Sequence, residues 1–193
     1  MRIVAGRWRG RVLTAPPTEA TRPTADRVRQ ALFDMLLHAP WAGRDCVEDS
    51  DVLDAFAGTG ALGLEALSRG ARHATFIENA PAARKALHTN IQALGVGQAC
   101  SVLSIDVTAV RTAPRAHGLV FLDPPYGQGL IPRALDRLRA MGWIAPGAII
   151  VAETGRTEDS PHPDPLAERV HGAARLTIWR EDASPAAGES GAD

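Results

Sequence analysis

Short apolar runs alternate along this chain with longer stretches in which apolar residues recur every three or four positions. Short runs are typical of buried β-strands, and the three-to-four spacing is typical of amphipathic helices. The pattern predicts strands at about 51–55, 73–77, 99–105, 118–122 and 148–152, and helices between them at about 61–69, 81–94 and 128–141. Strands that alternate with helices indicate an α/β fold with a mostly parallel sheet and helices on both faces.

Further segments flank this alternating core on both sides. Residues 1–14 contain two short β-like runs around glycines and predict a small β-hairpin. Residues 24–38 have apolar residues at helical spacing and predict an N-terminal helix. At the other end, residues 166–170 and 174–179 predict an antiparallel pair of strands, which brings the expected sheet to seven strands.

The length of 193 residues suits one domain. We expect a single domain over 1–180, with its core at 51–180. Residues 181–193 are rich in Ala, Gly, Ser and acids and predict a disordered tail. No apolar run approaches membrane-spanning length and the N-terminus has no apolar signal region, so we expect a cytoplasmic protein, and a monomer.

An acid follows each of the first four predicted strands of the core: Asp54, Glu78, Asp106 and Asp123. In an open α/β sheet, ligands bind beyond the carboxyl ends of the strands, so these side chains are expected to face one cleft. Each acid alone is weak support for a ligand-binding role, because an acid after a strand is often a turn residue or a helix cap.

A glycine-rich loop joins the first core strand to its helix. Gly58, Gly60 and Gly63 have the G-x-G-x-x-G spacing, and Glu78 follows Gly58 by twenty residues. Such glycines allow the backbone to approach a ligand closely, and such an acid can hold ribose hydroxyls. Taken alone, the loop fits a nicotinamide dinucleotide.

Asp54 changes that interpretation, because an anion in front of the loop is unfavourable beside a pyrophosphate. S-adenosylmethionine instead offers an ammonium, a sulfonium, a ribose and an adenine. We expect Asp54 to face the ammonium, Glu78 the ribose and Asp106 the adenine amino group. The predicted cofactor-binding residues are Asp54, Phe56, Ala57, Gly58, Thr59, Gly60, Glu78, Asn79 and Asp106.

The run Asp123-Pro124-Pro125-Tyr126 is the predicted catalytic motif. Its two prolines fix an extended backbone and remove two N–H donors. What remains is the Asp123 carboxylate and the Pro124 carbonyl, two acceptors that can hold the two hydrogens of an exocyclic amine. Tyr126 offers a flat surface on which a base can stack.

The charge is unevenly distributed. Residues 1–44 contain eight arginines against three acids, a net charge of +5, and the rest of the chain has −6. This favours a polyanionic partner at the N-terminal end. The predicted RNA-binding residues are Arg7, Trp8, Arg9, Arg11, Arg22, Arg27 and Arg29. Two alternatives stay open: Trp8 can simply hold the hairpin to the main domain, and the arginines can form a solvated face.

The motifs together resemble a known family. Asp123–Tyr126 is similar to the catalytic motif of class I amino-N-methyltransferases. Residues 2–11, 22–29 and 54–71 resemble, in the same order, the RsmD family of 16S rRNA guanine-N2 methyltransferases. The resemblance implies a Rossmann-like class I methyltransferase fold and methyl transfer from S-adenosylmethionine, without a metal, to the N2 of a guanine. The partner it implies is 16S rRNA or an assembly intermediate of the small ribosomal subunit.

Other functions remain open at this point. A DNA adenine-N6 methyltransferase usually has an extra target-recognition region, for which this chain is short. A protein glutamine methyltransferase is expected to have Asn at the position of Asp123. A nicotinamide-dependent oxidoreductase is favoured only by the glycine loop, and a non-catalytic RNA-binding module has no need of an intact Asp123–Tyr126 motif.

Overall fold

The computed structural model describes residues 1–16 and 23–182. The helices are α1 (Pro23–His38), α2 (Ala61–Ser68), α3 (Pro81–Leu94) and α4 (Leu130–Ala140). The strands are β1 (Asp51–Asp54), β2 (His73–Ile77), β3 (Cys100–Leu103), β4 (His117–Leu122), β5 (Ile144–Gly155), β6 (Ala167–His171) and β7 (Ala174–Arg180). No helix among these residues is long and apolar enough to cross a membrane.

The seven strands form one sheet in the order β3-β2-β1-β4-β5-β7-β6. The pairs from β3 through β5 are parallel, and β7 runs antiparallel to both β5 and β6. The predicted α/β fold is therefore confirmed, including the antiparallel closing pair. The order reverses between β1 and β4, and a crevice for ligands opens at such a switch point, beyond the carboxyl ends of the strands.

Alternate residues of the central strands face two separate cores. In β4, Leu119 and Phe121 pack with α1, α2 and α3 on one face of the sheet. Val120 and Leu122 pack with α4 on the other. Because both faces are covered, the central strands are apolar at nearly every position, as is typical of buried parallel strands.

The N-terminal segment is a hairpin held by few backbone bonds. The Ile3 N–H donates to the Arg11 carbonyl at 2.9 Å, and Arg2 and Val12 form an isolated antiparallel bridge. The segment lies along α2. The Glu65 carboxylate accepts from the backbone N–H of Val4 and of Ala5, at 2.8 and 3.0 Å.

Gly6 and Ser68 complete this docking. Gly6 has a φ of +76°, and a Cβ added there would lie 1.9 Å from the Ser68 carbonyl oxygen. That carbonyl accepts from the Arg7 N–H at 2.7 Å, and the Ser68 hydroxyl donates to the Ala5 carbonyl at 2.6 Å. Only glycine allows this approach, because it has no Cβ and tolerates positive φ.

Most predicted boundaries lie within two residues of the observed ones, and two differ by more or change the interpretation. β5 extends from Ile144 to Gly155 rather than over 148–152, because its Pro146-Gly147 pair, which is typical of a loop, lies within an irregularity of the β4–β5 register. The predicted tail begins too early: Glu181 donates its N–H to the Ala148 carbonyl and forms an ion pair with Arg139. The rest of the predicted tail, from 183 on, lies outside the described residues, as does Arg22.

Candidate active site at the switch point

The glycines of the loop after β1 serve different purposes. Gly58 has a φ of +52°, and a Cβ there would meet open space, so its backbone borders the cleft. A Cβ on Gly60 would lie 2.4 Å from Leu87, and one on Gly63 would lie 2.4 Å from Phe76. Gly60 and Gly63 are thus required by packing of the loop and α2 on their neighbours, and Gly58 leaves room for a ligand.

Glu78, at the end of β2, holds the loop in place. One carboxylate oxygen accepts from the Gly58 N–H at 2.8 Å, and the other accepts from the Ala80 N–H at 2.7 Å. A carboxylate oxygen can accept more than one hydrogen bond. Glu78 can therefore keep the loop in position and still accept from hydroxyl groups in the cleft.

Asp54, at the end of β1, is 2% exposed and does not line the cleft, contrary to its expected contact with the ligand ammonium. Its Oδ2 accepts from the Gly63 N–H at 3.0 Å in the first turn of α2. Burial raises the pKa of Asp54 to about 7, and the nearby charge of Glu78 adds to this, whereas the Gly63 bond acts in the opposite direction. The carboxyl group braces the loop from beneath.

Other predicted cofactor residues also lie away from the cleft surface. Ala57, Thr59 and Gly60 are buried within or under the loop, where the Thr59 carbonyl accepts from the Asn90 side chain at 2.9 Å. Asp106 is exposed but serves as a cap, since its Oδ1 accepts from the hydroxyl and N–H of Thr108. These Thr108 bonds lower the pKa of Asp106, and its Oδ2 lies 3.5 Å from the Asn79 amide.

A cleft of about 510 Å³ unites the remaining predicted residues. On one side it is lined by Phe56, Gly58, Glu78 and Asn79, and on the other by Asp123, Pro124, Pro125 and Tyr126. Its volume is in the range of small-molecule and cofactor sites. An aromatic ring, an open glycine backbone and a carboxylate suit the adenosine part of S-adenosylmethionine, so the residues present fit this cofactor.

The Asp-Pro-Pro-Tyr loop follows β4 directly. Asp123 is exposed and Pro124 is buried, so the loop is fixed at the proline and open at the acid. Tyr126 is 46% exposed, and its hydroxyl donates to the Glu153 carboxylate. Partial burial, the bond to Glu153 and nearby acids raise the pKa of Tyr126, so the phenol stays protonated at neutral pH.

Comparison with known proteins identifies the family that has this fold and these motifs. The family model described as conserved hypothetical protein 95 matches residues 1–180. Ribosomal RNA small subunit methyltransferase D of Escherichia coli K12 is 38% identical over 198 residues, which cover 100% of this chain and 94% of that protein. The chain belongs to the RsmD family.

Two further comparisons agree with membership in the RsmD family. The Haemophilus influenzae protein of the same name is 36% identical over 187 residues, which cover 93% of each chain. The solved structure of the methyltransferase yhhF from Escherichia coli superposes with a TM-score of 0.81 at 35% identity, covering 95% of this chain and 99% of that one. The resemblance to the RsmD family that the three sequence motifs indicated is confirmed. Membership in this family favours a methyltransferase over a nicotinamide-dependent oxidoreductase.

Arg29 is not available as a phosphate ligand in this member of the RsmD family, contrary to expectation. It is 5% exposed, and its guanidinium donates to Asp26 at 2.8 Å and lies 3.7 Å from Glu65. The sequence predicted an RNA-binding side chain here, with a solvated one as the alternative, but α1 turns Arg29 toward α2 and the N-terminal segment. Its charge serves the fold.

Some of the other predicted RNA-binding residues are exposed, and one is half-buried. Arg7, Arg9, Arg11 and Arg27 are exposed. Trp8 is half-buried against the core, and its backbone N–H donates to the Ser68 hydroxyl at 3.0 Å. Trp8 therefore packs the hairpin against the domain, and its contact with RNA stays a prediction, as does that of the exposed arginines.

Sequence reasoning missed Glu153. It lies in the last part of β5, and it borders the cofactor cleft beside Tyr126. It also borders an adjacent, largely apolar cavity of about 290 Å³ that includes Asp123, Leu32 and Leu176. The signal that could have identified it is the one used for the other acids, since Glu153 directly follows the predicted strand 148–152.

Proposed function

We propose that this protein transfers the methyl group of S-adenosylmethionine to the exocyclic N2 amine of a guanine in small-subunit ribosomal RNA. Membership in the RsmD family supports the general part, S-adenosylmethionine-dependent methylation of ribosomal RNA. The observation that supports the specific part is the position of Asp123 and Pro124. These two acceptors border the same cleft as the glycine loop and Glu78.

Each side of the cleft has a role in holding the cofactor. Glu78 would accept from the ribose hydroxyls, the Gly58 backbone would leave space for the adenosine, and Asn79 would lie toward the adenine. Asp54 acts indirectly, by fixing the start of α2 through Gly63. When bound, the cofactor supplies a methyl group already activated by a sulfonium.

The amine of guanine needs help to act as a nucleophile, because its lone pair is delocalised into the ring. The Asp123 carboxylate and the Pro124 carbonyl hold its two hydrogens and favour the positive charge that develops on nitrogen. Asp123 or water then takes one proton, which leaves a neutral methylated amine. Orientation of the two reactants can contribute about 7–11 kcal/mol at best to the lowering of the barrier.

The base must leave any helix before it can enter the cleft. A stacked and paired guanine has its N2 in a groove, where these acceptors cannot surround it. Proteins that act on such bases use loops or flipped nucleotides and stack the free base on an aromatic ring. Tyr126, which is half-exposed beside Asp123, is suited to that stacking. The substrate is the RNA alone or a partly assembled subunit.

Asp123→Ala is expected to reduce the rate of methylation by about a hundredfold or more and to leave cofactor affinity nearly unchanged. The measurement is transfer of labelled methyl to small-subunit rRNA from cells that lack this gene, with the modified nucleoside identified by mass. Cofactor affinity is measured separately by calorimetry. The control is Glu168→Gln on β6, which removes an acid outside the cleft.

The expected product is N2-methylguanosine with the natural chain and the Glu168→Gln control. A methylated adenosine, or retained turnover by Asp123→Ala, would contradict the proposal.

A further inference from the structure

We propose that Glu153 selects guanine as the target base by accepting a hydrogen bond from its N1–H. This inference rests on the proposed function. It concerns a residue that binds the substrate beside the catalytic motif, and it gives the site a means of excluding adenine.

Glu153 lies where the cavities around the catalytic loop meet. It is on β5, where it pairs with Leu176 of β7 one residue beyond the last pair of β4 with β5, so the sheet fixes its backbone. Among the described residues, Asp123 and Glu153 are the two that line both the cofactor cleft and the apolar cavity beside it. A base whose amine is held by Asp123 therefore lies in a cleft that Glu153 also borders.

The carboxylate has capacity for a substrate. Its Oε1 accepts from the Tyr126 hydroxyl, and among the hydrogen bonds of the described residues its Oε2 accepts none. In guanine, N1–H and the N2 amine are adjacent on one edge, so a base that presents N2 to Asp123 presents N1–H to the neighbouring acceptor. An ionised carboxylate can only accept hydrogen bonds.

This chemistry separates the two purines. The N1 of guanine is a donor, and the N1 of adenine is an acceptor. Adenine would place a lone pair against the Glu153 carboxylate and leave both groups without a donor. A site that is built to bond a substrate N–H rejects an analogue that lacks it, because the partner in the protein is left unpaired.

A simpler role for Glu153 is to orient the ring of Tyr126 through their hydrogen bond. The two roles predict different behaviour of two variants. Tyr126→Phe breaks the Tyr126–Glu153 bond but keeps the carboxylate, whereas Glu153→Gln keeps an acceptor for the phenol and adds an N–H₂ donor. Only the second change alters what the site offers to N1 of the base.

The experiment compares guanine with 2-aminopurine at the target position. Synthetic RNA containing either base is ligated into small-subunit rRNA, and kcat/KM for methyl transfer is measured. 2-Aminopurine keeps the amine that is methylated but has an acceptor at N1. We expect the natural enzyme to prefer guanine by about ten- to a hundredfold. We expect Tyr126→Phe and the Glu168→Gln control to keep that preference, and Glu153→Gln to reduce it to within a few fold.

The outcomes distinguish the two proposals. If the natural enzyme methylates neither RNA at the amine, the proposed function fails. If it methylates both equally well, the role of Glu153 fails whatever the variants do. If Glu153→Gln and Tyr126→Phe change the preference equally, Glu153 acts only through Tyr126 and the inference is overturned. Stabilisation of each variant by S-adenosylhomocysteine in a melting experiment shows that it is folded.

Discussion

At the scale of single residues, the site depends on acids whose environments differ sharply. Asp54 is buried beneath the glycine loop and has a raised pKa of about 7. Asp106 is exposed and has a lowered pKa, because Thr108 donates to it twice. Asp54 ends β1 and Asp106 comes after β3, yet Asp54 supports the glycine loop in an apolar setting and Asp106 caps a turn in water. The same residue type therefore gives opposite dependences of stability on pH.

Asp54→Asn should remove a loss of stability that the natural protein shows as pH rises. The folded pKa of Asp54, about 7, is above the ordinary value of 3.8, so burial of the neutral acid stabilises the fold fully below about pH 4. That contribution is lost as pH rises from 4 through 7, because the unfolded chain ionises first. Asn stays neutral throughout. Urea unfolding between pH 4 and 8 measures this effect. The free energy of unfolding of the variant should rise relative to that of the natural protein as the pH increases.

Asp106→Asn is the matched control. The pKa of Asp106 is lowered in the folded state, so its contribution is present above the unfolded value and lost as pH falls. As the pH rises, the stability of Asp54→Asn relative to the natural protein should therefore increase, and that of Asp106→Asn should decrease. A constant difference between Asp54→Asn and the natural protein from pH 4 to 8 would show that Asp54 is not held neutral by burial.

At the scale of elements, α2 connects the cofactor loop to the N-terminal hairpin. The glycine loop enters its first turn, and Glu65 and Ser68 near its end bind the backbone of the hairpin. The helix has eight residues and is therefore about 12 Å long. Because Glu65 also pairs with Arg29 and Arg69, the hairpin, α1 and α2 share one buried ionic contact.

Gly6→Ala should destabilise the protein more than Gly10→Ala. Both glycines have positive φ, +76° and +85°, so both substitutions cost about 1–2 kcal/mol of backbone strain. A Cβ at position 6 would also meet the Ser68 carbonyl at 1.9 Å, whereas nothing lies within 4 Å at position 10. Urea unfolding and RNA binding of both variants measure the difference. Equal losses of stability would show that the hairpin does not depend on close contact with α2.

At the scale of the whole molecule, the exposed arginines of the N-terminal segment lie on one face of the sheet. Arg7, Arg9, Arg11 and Arg27 are exposed on the hairpin and α1, which cover the same face as α2 and α3. On the opposite face, covered by α4, Arg139 forms an ion pair with Glu181. An RNA whose phosphates lie along the hairpin would be held beside the helix that leads to the cofactor loop.

Arg7→Ala combined with Arg9→Ala should weaken RNA binding and reduce its dependence on salt. Each lost phosphate contact is expected to lower the slope of log affinity against log salt by about 1. The control is Arg111→Ala combined with Arg139→Ala, two exposed arginines on the α4 side. Titration of small-subunit rRNA at several salt concentrations measures both slopes. An unchanged slope for the hairpin variant would remove this segment from the RNA-binding surface.

The sequence by itself determined the order of the elements and the chemistry available at the ends of the strands. α3 was predicted with its observed bounds, because Pro81 starts it and Gly95, in the left-handed region, ends it. The acids after β1 to β4 and the two prolines after Asp123 were recognisable for the same reason. These features can be read from the sequence because periodicity and turn residues are local along the chain, and side-chain chemistry is given by the residue type.

Only the tertiary structure decided which of those polar groups face the ligand. Asp54 and Arg29 both looked available, and both are buried, Asp54 beneath the glycine loop and Arg29 between α1 and α2. Neither packing can be seen in one segment of the sequence alone. The docking of Gly6 on Ser68 and the bond between Tyr126 and Glu153 join residues far apart in the chain. Burial and pairing of charges depend on how elements pack, and for that reason the position of Glu153 beside the catalytic loop was visible only in the fold.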